Sequence, residues 1–184
     1  MEIAKTEYLT QRFLYTSICD EDQAIFCDLY CSDVVMGKIM PKLTTEQAKS
    51  LFKDSLSNQQ QHPHEFWCIK SIVSGQSIGI QGFMANPEQR KRGDAEFGIL
   101  LKPEFYGNNV ATESVTAMLF HGFQHLKLNC AHAYFNINNA AILKIAKKLG
   151  FTITVDDKQP DKMCCSISKA AFLSSNKDPK FDNK

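Results

Sequence analysis

Between Ala95 and Phe135 the spacing of apolar residues changes period twice, and few architectures accommodate that change. Ala95 to Leu101 reads as a strand ended by Pro103. From about Asn109 to Leu126, the residues Val110, Ala111, Val115, Met118, Leu119 and Phe123 recur at helical spacing. Ala131 to Phe135 then returns to a strand. A strand is apolar on one face and a helix along one stripe, so each must cover the other. The simplest outcome is helices layered on a sheet.

The flanking segments extend this pattern. Phe13-Leu14-Tyr15 reads as a short opening strand, and Asp20-Glu21-Asp22 suits the first turn of a helix that stops near Ser32-Asp33. Thr44 and Gln47 form a capping-box pattern that opens a helix running to about Asn58. Phe66 to Ile72 and Ser77 to Met84 make a hairpin around Ser74-Gly75-Gln76. Gly98, inside its strand, is expected to mark a bulge or a close backbone approach. The run Gln89-Arg90-Lys91-Arg92, bracketed by Pro87, Glu88, Gly93 and Asp94, reads as a solvated loop. Asn139 to Lys148 is a helix with Gly150 as its C′ residue. Phe151 to Val155 and Met163 to Ser168 are strands joined by a polar turn from Asp156 to Asp161. No repeat or linker divides the chain, so residues 1–173 are read as one domain and 174–184 as a tail.

Composition narrows the function classes. With 43% hydrophobic and 22% charged residues the chain can pack a core, which excludes bulk disorder. A formal net charge of +1 gives no field to draw the whole protein to nucleic acid or to an acidic membrane, so neither is expected as a partner. Met1 to Gln11 lacks a leader's apolar run, and no stretch approaches the ~20 apolar residues of a membrane span; a cytoplasmic protein is expected. The seven cysteines form no CxxC pair and read as reduced thiols. His121 and His125 are four apart on a helix, but no third ligand accompanies them, so no metal is expected. Trp67 reads as core or as the wall of an acceptor cleft.

The chemistry concentrates between Glu96 and Thr112. A helix N-terminus exposes unpaired N–H groups and a partial positive charge, which favour a phosphate. Gly107-Asn108-Asn109 precedes such a terminus, and Gly and Asn are the residues that enter the left-handed region most readily. Taken alone, Gly-Asn-Asn before a helix is more often only a turn and cap.

The segment Glu96-Phe97-Gly98-Ile99-Leu100-Leu101 to Ala111-Thr112-Glu113 resembles the strand, loop and helix with which GNAT acetyltransferases hold coenzyme A. It is closest to the branch containing the ribosomal-protein N-terminal acetyltransferases. Thr10 to Leu14 is similar to that branch's opening strand, and Asn139 to Phe151 to its Asn-to-Gly-Phe helix, so the likeness spans nearly the whole chain. It implies an α+β fold, an α/β sandwich whose mixed sheet of about seven strands is flanked by about four helices. It implies acetyl-CoA as co-substrate and an amine acceptor, either a protein N-terminal amine or a small amine. It also implies cofactor contacts at Ile99, Leu100, Leu101, Gly107, Asn108, Asn109, Val110, Ala111, Thr112, Asn139 and Lys144. A homodimer is the assembly the likeness suggests.

Amine acetylation needs an uncharged amine, stabilisation of the carbonyl oxygen and a tolerated thiolate. An amine with a reference pKa near ~10.4 needs a base at neutral pH. Glu96 is the candidate base, with a structural ion pair to Arg90 or Arg92 as its alternative. Tyr134 and His132, at the same parity on the next strand, read first as half-buried packing, and beside that as candidates to anchor or deprotonate the acceptor through water. Three departures from the family pattern stand out. The loop pattern Gln/Arg-x-x-Gly-x-Gly/Ala falls on Tyr106, Asn109 and Ala111, and only Ala111 fits. Ile142 stands where the branch often has Ser, and Ala146 where many relatives carry the tyrosine that protonates the thiolate. These departures set up the rival reading, a non-catalytic module of the same fold.

Overall fold

The computed structural model describes residues 7–59, 61–156 and 159–175. Its sheet is built mostly from antiparallel neighbours. β1 (Glu7–Leu9), β2 (Phe13–Ser17), β3 (Glu65–Ser71), β4 (Ser77–Met84) and β5 (Asp94–Leu101) pair in succession. β6 (Cys130–Asn136) joins β5 in parallel, and β8 (Gln159–Ser168) lies between β6 and β7 (Thr152–Asp156). The order is therefore β1-β2-β3-β4-β5-β6-β8-β7. A parallel pair cannot be closed by a tight turn, so the chain crosses over between β5 and β6 through α5 (Val110–Gln124).

The α+β class and mixed sheet are as expected, but the sheet has eight strands rather than about seven. The addition is β1, three residues that continue the sheet beyond β2. Among the described residues there are seven helices, not about four. α1 (Gln23–Tyr30), α2 (Asp33–Met36) and α3 (Thr45–Asn58) cover one face of the sheet. α5, α6 (Ala140–Leu149) and α7 (Lys169–Ser175) cover the other. α4 (Pro87–Arg92) lies between β4 and β5. α7 runs two residues into the expected tail, whose remainder lies outside the described residues. The turn expected over Asp156 to Asp161 also falls partly outside them, and β8 begins earlier than expected, at Gln159.

Two local expectations are corrected. The charged run around Arg90 is not a loop but the exposed face of α4. Asn86 Oδ1 accepts from the Gln89 N–H, Gln89 Oε1 accepts from the Asn86 N–H, Pro87 pre-sets the first turn, and Gly93 closes the helix at φ 74°. Gly98 marks no bulge, because β4 and β5 keep one register from Gly79–Leu101 to Met84–Glu96. The capping box at Thr44 and Gln47 and the left-handed Gly150 after α6 are as expected.

Strand alternation sorts β5 and β6 into two faces. Ala95, Phe97, Leu101, Ala131, Ala133 and Phe135 join the core beneath α5 and α6. Leu100 packs on the opposite side, with Phe26, Leu29, Phe52, Cys68 and Ile80 from α1, α3 and the sheet. Glu96, Gly98, His132 and Tyr134 share that second face by parity.

Candidate active site

β5 and β6 pair at only three positions, Asp94–Cys130, Ala95–Ala131 and Glu96–His132. Both strands run on, to Leu101 and Asn136, but β5 stays with β4 while β6 follows β8. The sheet therefore splits into a wedge whose apex is the Glu96–His132 pair. Along it, the β6-facing backbone of Phe97 to Leu101 has no strand partner among the described residues. Interior backbone groups are almost always satisfied, so such an edge is suited to a bound chain of alternating donors and acceptors.

Two glycines, register partners across β4 and β5, shape the wedge floor. A Cβ on Gly82 would strike the Phe66 ring at 2.4 Å, so that glycine lets an aromatic side chain lie flat on the sheet. A Cβ on Gly98 would meet nothing within 4 Å. Packing does not demand that glycine; it leaves a solvent-open slot beside β5.

At the far end of β5 the chain makes one 3-10 turn (Pro103–Phe105) and then takes three successive positive φ values: Gly107 at 89°, Asn108 at 46° and Asn109 at 60°. Asn109 is the N-cap of α5, so the asparagine that replaces the pattern's glycine adopts the left-handed conformation a glycine would supply. The Val110 N–H is held by the Gly107 carbonyl at 3.1 Å and the Glu113 N–H by the Asn109 carbonyl at 2.9 Å. Among the described residues, the N–H groups of Ala111 and Thr112 find no acceptor. This fits an anionic group at the helix start.

Lys148, on α6, donates from Nζ to Asn109 Oδ1 at 3.0 Å and brings a positive charge to the loop. Sequence reasoning missed it and selected Lys144, which is exposed and makes no ion pair or hydrogen bond among the described residues. Asn139 caps α6, accepting from the Ile142 N–H at 3.4 Å, and is 8% exposed. Of the three residues expected along the β5 edge, Ile99 and Leu101 turn their side chains to the α5 side and Leu100 to the other. Only their backbone faces the wedge. Ala146 is buried.

At the apex Glu96 is half-buried, and its carboxylate makes no hydrogen bond among the described residues. Burial raises its pKa above the ordinary carboxylate value, with nearby Lys162 opposing. The alternative ion pair is not formed: Arg92 binds Asp94 at 2.9 Å, and Arg90 Nε donates to the Ala85 carbonyl at 3.1 Å. His132 is buried, and its Nε2 lies 2.7 Å from Gln89 Nε2. Burial lowers the imidazole pKa, Asp94 opposes this and Arg92 adds to it. Tyr134 is 47% exposed, its ring edge-on to His132 at 5.6 Å. Gln89 was also missed, although the Asn86-x-x-Gln89 capping pattern could have revealed its position.

Other polar features lie elsewhere. Trp67 is fully buried on the α5 side, so it is core and not cleft wall. His121 is paired with Glu65 at 2.9 Å on that same side. A cavity of about 240 Å³ borders the outer side of the loop, lined in part by Arg12, Tyr106 and Asn108, but it is not at the wedge. The Arg12 guanidinium there is already paired with Glu113 at 2.7 Å. No described helix is long and apolar enough to cross a membrane.

The acetyltransferase (GNAT) domain family matches residues 12–152. The uncharacterized N-acetyltransferase p20 of Bacillus licheniformis is 30% identical over 156 residues, covering 82% of this chain and 83% of its own. The uncharacterized N-acetyltransferase YoaA of Bacillus subtilis is 28% identical over 144 residues, covering 77% and 80%. Among solved structures, an acetyltransferase from Agrobacterium tumefaciens superposes with a TM-score of 0.76 at 19% identity, covering 92% of this chain and 98% of its own. RimL, a ribosomal L7/L12 alpha-N-protein acetyltransferase in complex with coenzyme A, gives 0.74 at 13% identity, covering 88% and 97%. A spermidine N-acetyltransferase from Vibrio cholerae, in complex with CoA and spermine, gives 0.73 at 15%, covering 88% and 98%. At these identities the solved structures establish likeness of fold.

Proposed function

Because the chain belongs to the GNAT family and is an N-acetyltransferase, we propose that it moves acetyl from acetyl-CoA to a primary amine, by direct attack within a ternary complex. We take a protein N-terminal amine as the leading acceptor. The observation that carries this reading is the wedge itself, an unpaired strand edge that runs from a half-buried carboxylate to a helix start with unpaired N–H groups.

Acetyl-CoA, when bound, supplies an acetyl group already activated as a thioester. The chain's own residues divide the remaining work. The loop Gly107-Asn108-Asn109 and the N–H groups of Ala111 and Thr112 would hold the diphosphate, with Val110 fixing the turn through its bond to the Gly107 carbonyl, Lys148 adding charge and Lys144 standing one turn away. Asn139 and the β5 backbone at Ile99, Leu100 and Leu101 would hold the pantetheine arm, and N–H groups of that edge would stabilise negative charge on the carbonyl oxygen. Glu96 would take the proton of the acceptor's ammonium, directly or through one water, and Tyr134 would anchor the acceptor. Ala146 donates no proton; a thiol's reference pKa near ~8.5 makes that loss tolerable.

The choice of acceptor rests on the segment likeness to the ribosomal-protein branch and on charge. A polyamine would bring several positive charges to an apex already bordered by Lys162 and Arg92. The test has two stages. Millimolar acetyl-CoA should raise the melting temperature by several degrees, and thiol release should follow with peptides bearing a free N-terminus but not with the same peptides blocked. A melting temperature that millimolar coenzyme leaves unmoved removes the enzymatic reading. Turnover with spermidine but no peptide removes only the acceptor assignment.

A further inference from the structure

Gln89 makes two hydrogen bonds of opposite polarity. Its Oε1 accepts from the Asn86 N–H at 2.7 Å, completing the box that starts α4. Only a carbonyl oxygen can accept there, so the helix cap decides which way the amide points. That leaves Nε2, a donor, 2.7 Å from His132 Nε2. A ring nitrogen facing a donor must present its lone pair, and a neutral imidazole then carries its single proton on Nδ1. Among the described residues no acceptor pairs with Nδ1. The ring stands in register with Glu96, where β5 and β6 part.

We propose that Gln89 is a positioning residue that fixes His132 as the neutral Nδ1–H tautomer, so that the imidazole offers the acceptor side of the wedge a hydrogen-bond donor and not a base. Its partner would be the carbonyl beside an N-terminal amine, or a water next to Glu96; this purpose rests on the acetyl-transfer reading, whereas the tautomer does not. Charged and titratable neighbours reach the ring from each side: Arg92 from the end of α4, Asp94 and Glu96 from β5, Tyr134 on its own strand and Cys164 from β8 opposite Tyr134. Burial lowers the ring's pKa in the same direction as the geometry, because a second proton on Nε2 would face the Gln89 amide hydrogens.

Gln89→Glu tests this with little change of shape. One carboxylate oxygen can still accept the Asn86 N–H, as a capping box allows, while the other turns a pure acceptor toward Nε2. Long-range proton–nitrogen correlation spectra at neutral pH should show His132 with its proton on Nδ1 in the parent chain. In the variant the proton should appear on Nε2, or on both nitrogens. The acceptor KM should rise about tenfold, as expected for one misdirected hydrogen bond, with a new titration near neutral pH and the acetyl-CoA KM unchanged. A parent spectrum with the proton on Nε2 overturns the proposal, and so does a variant with unaltered tautomer and pH profile. If the variant does not fold, the parent spectrum still decides. Because the spectrum needs no turnover, an inactive protein would remove the functional reading and leave this one standing.

Discussion

On the α5 side of the sheet polar groups are sealed among aromatic rings, while on the α1–α3 side polar groups stand around an open wedge. In the sealed region His121 pairs with Glu65 at 2.9 Å and stacks on Tyr8 at 5.2 Å. Gln81 Nε2 donates to the Tyr8 hydroxyl at 2.7 Å, and the Tyr15 hydroxyl donates to Ser114 at 3.1 Å. Burial pushes the Tyr8 and Tyr15 pKa values up, Tyr15 to about 12, so both stay neutral and keep their protons for bonding. On the other face Glu96 is half-buried yet its carboxylate makes no hydrogen bond among the described residues, and Gly98 faces open space. The difference teaches how to sort polar residues by task. The seal does not satisfy every valence, since Trp67 Nε1 and Gln81 Oε1 are buried there without a hydrogen-bond partner among the described residues. A polar group enclosed by rings supports architecture, and a carboxylate left open beside solvent is poised for a ligand.

The largest expected effect is structural and belongs to the sealed side. Trp67 is fully buried against Tyr8, Phe83 and His121. Trp67→Ala should cost about 3–5 kcal/mol of stability in urea unfolding while activity per folded molecule is retained. A loss under about 1 kcal/mol would mean that this face is less sealed than described.

Next comes Glu96→Gln, which should lower kcat by about a hundredfold with little change in melting temperature or coenzyme affinity, as expected for removing a general base. The sign of the pH dependence follows from burial. A base must be deprotonated, its pKa is raised, so kcat should fall as pH drops through a midpoint above the ordinary glutamate range. That acid limb should vanish in the variant. If it persists, another group is the base.

Gly98→Val should be smaller, roughly tenfold in coenzyme affinity, and it separates the two glycines. A Cβ at this position meets no protein atom within 4 Å, so the melting temperature should hold while the slot fills. Gly82→Val, pressed against Phe66, should destabilise the fold instead. Equal effects of the two on stability would show that the slot at Gly98 is not open.

Much of the fold was legible because its signals are local. The Thr44–Gln47 box, the hairpin around Gly75 and the Asn139-to-Gly150 helix each carry their start and stop within a few residues. α4 was hidden because its arginines and lysine read as a loop, although Asn86, Pro87, Gln89 and Gly93 spell both of its ends. β1 has three residues, too few for a period to show. The site divided along the same line. The left-handed loop at Gly107 to Asn109 was written in its residue types. The wedge depends on where β5 and β6 stop pairing, a property of register that neither strand encodes alone. Gln89–His132 and Lys148–Asn109 join residues 43 and 39 positions apart, beyond the reach of any local pattern.

The smallest expected effect tests that last point. Lys148 and Asn109 are both exposed, so their bond alone contributes little to stability, about 1 kcal/mol or less. If Lys148 only tethers Asn109, Lys148→Met should loosen the loop without altering how salt affects coenzyme binding. If its charge also reaches the diphosphate, coenzyme A affinity should fall roughly three- to tenfold, and the remaining affinity should depend less on ionic strength. We expect the second result, because the ammonium sits on the residue that caps α5, next to the unpaired N–H groups of Ala111 and Thr112. Lys144→Met is the paired control. One turn away and without a partner among the described residues, it should change affinity less than Lys148→Met. A larger effect at Lys144 would return the cationic contact to the residue that the sequence pattern selected.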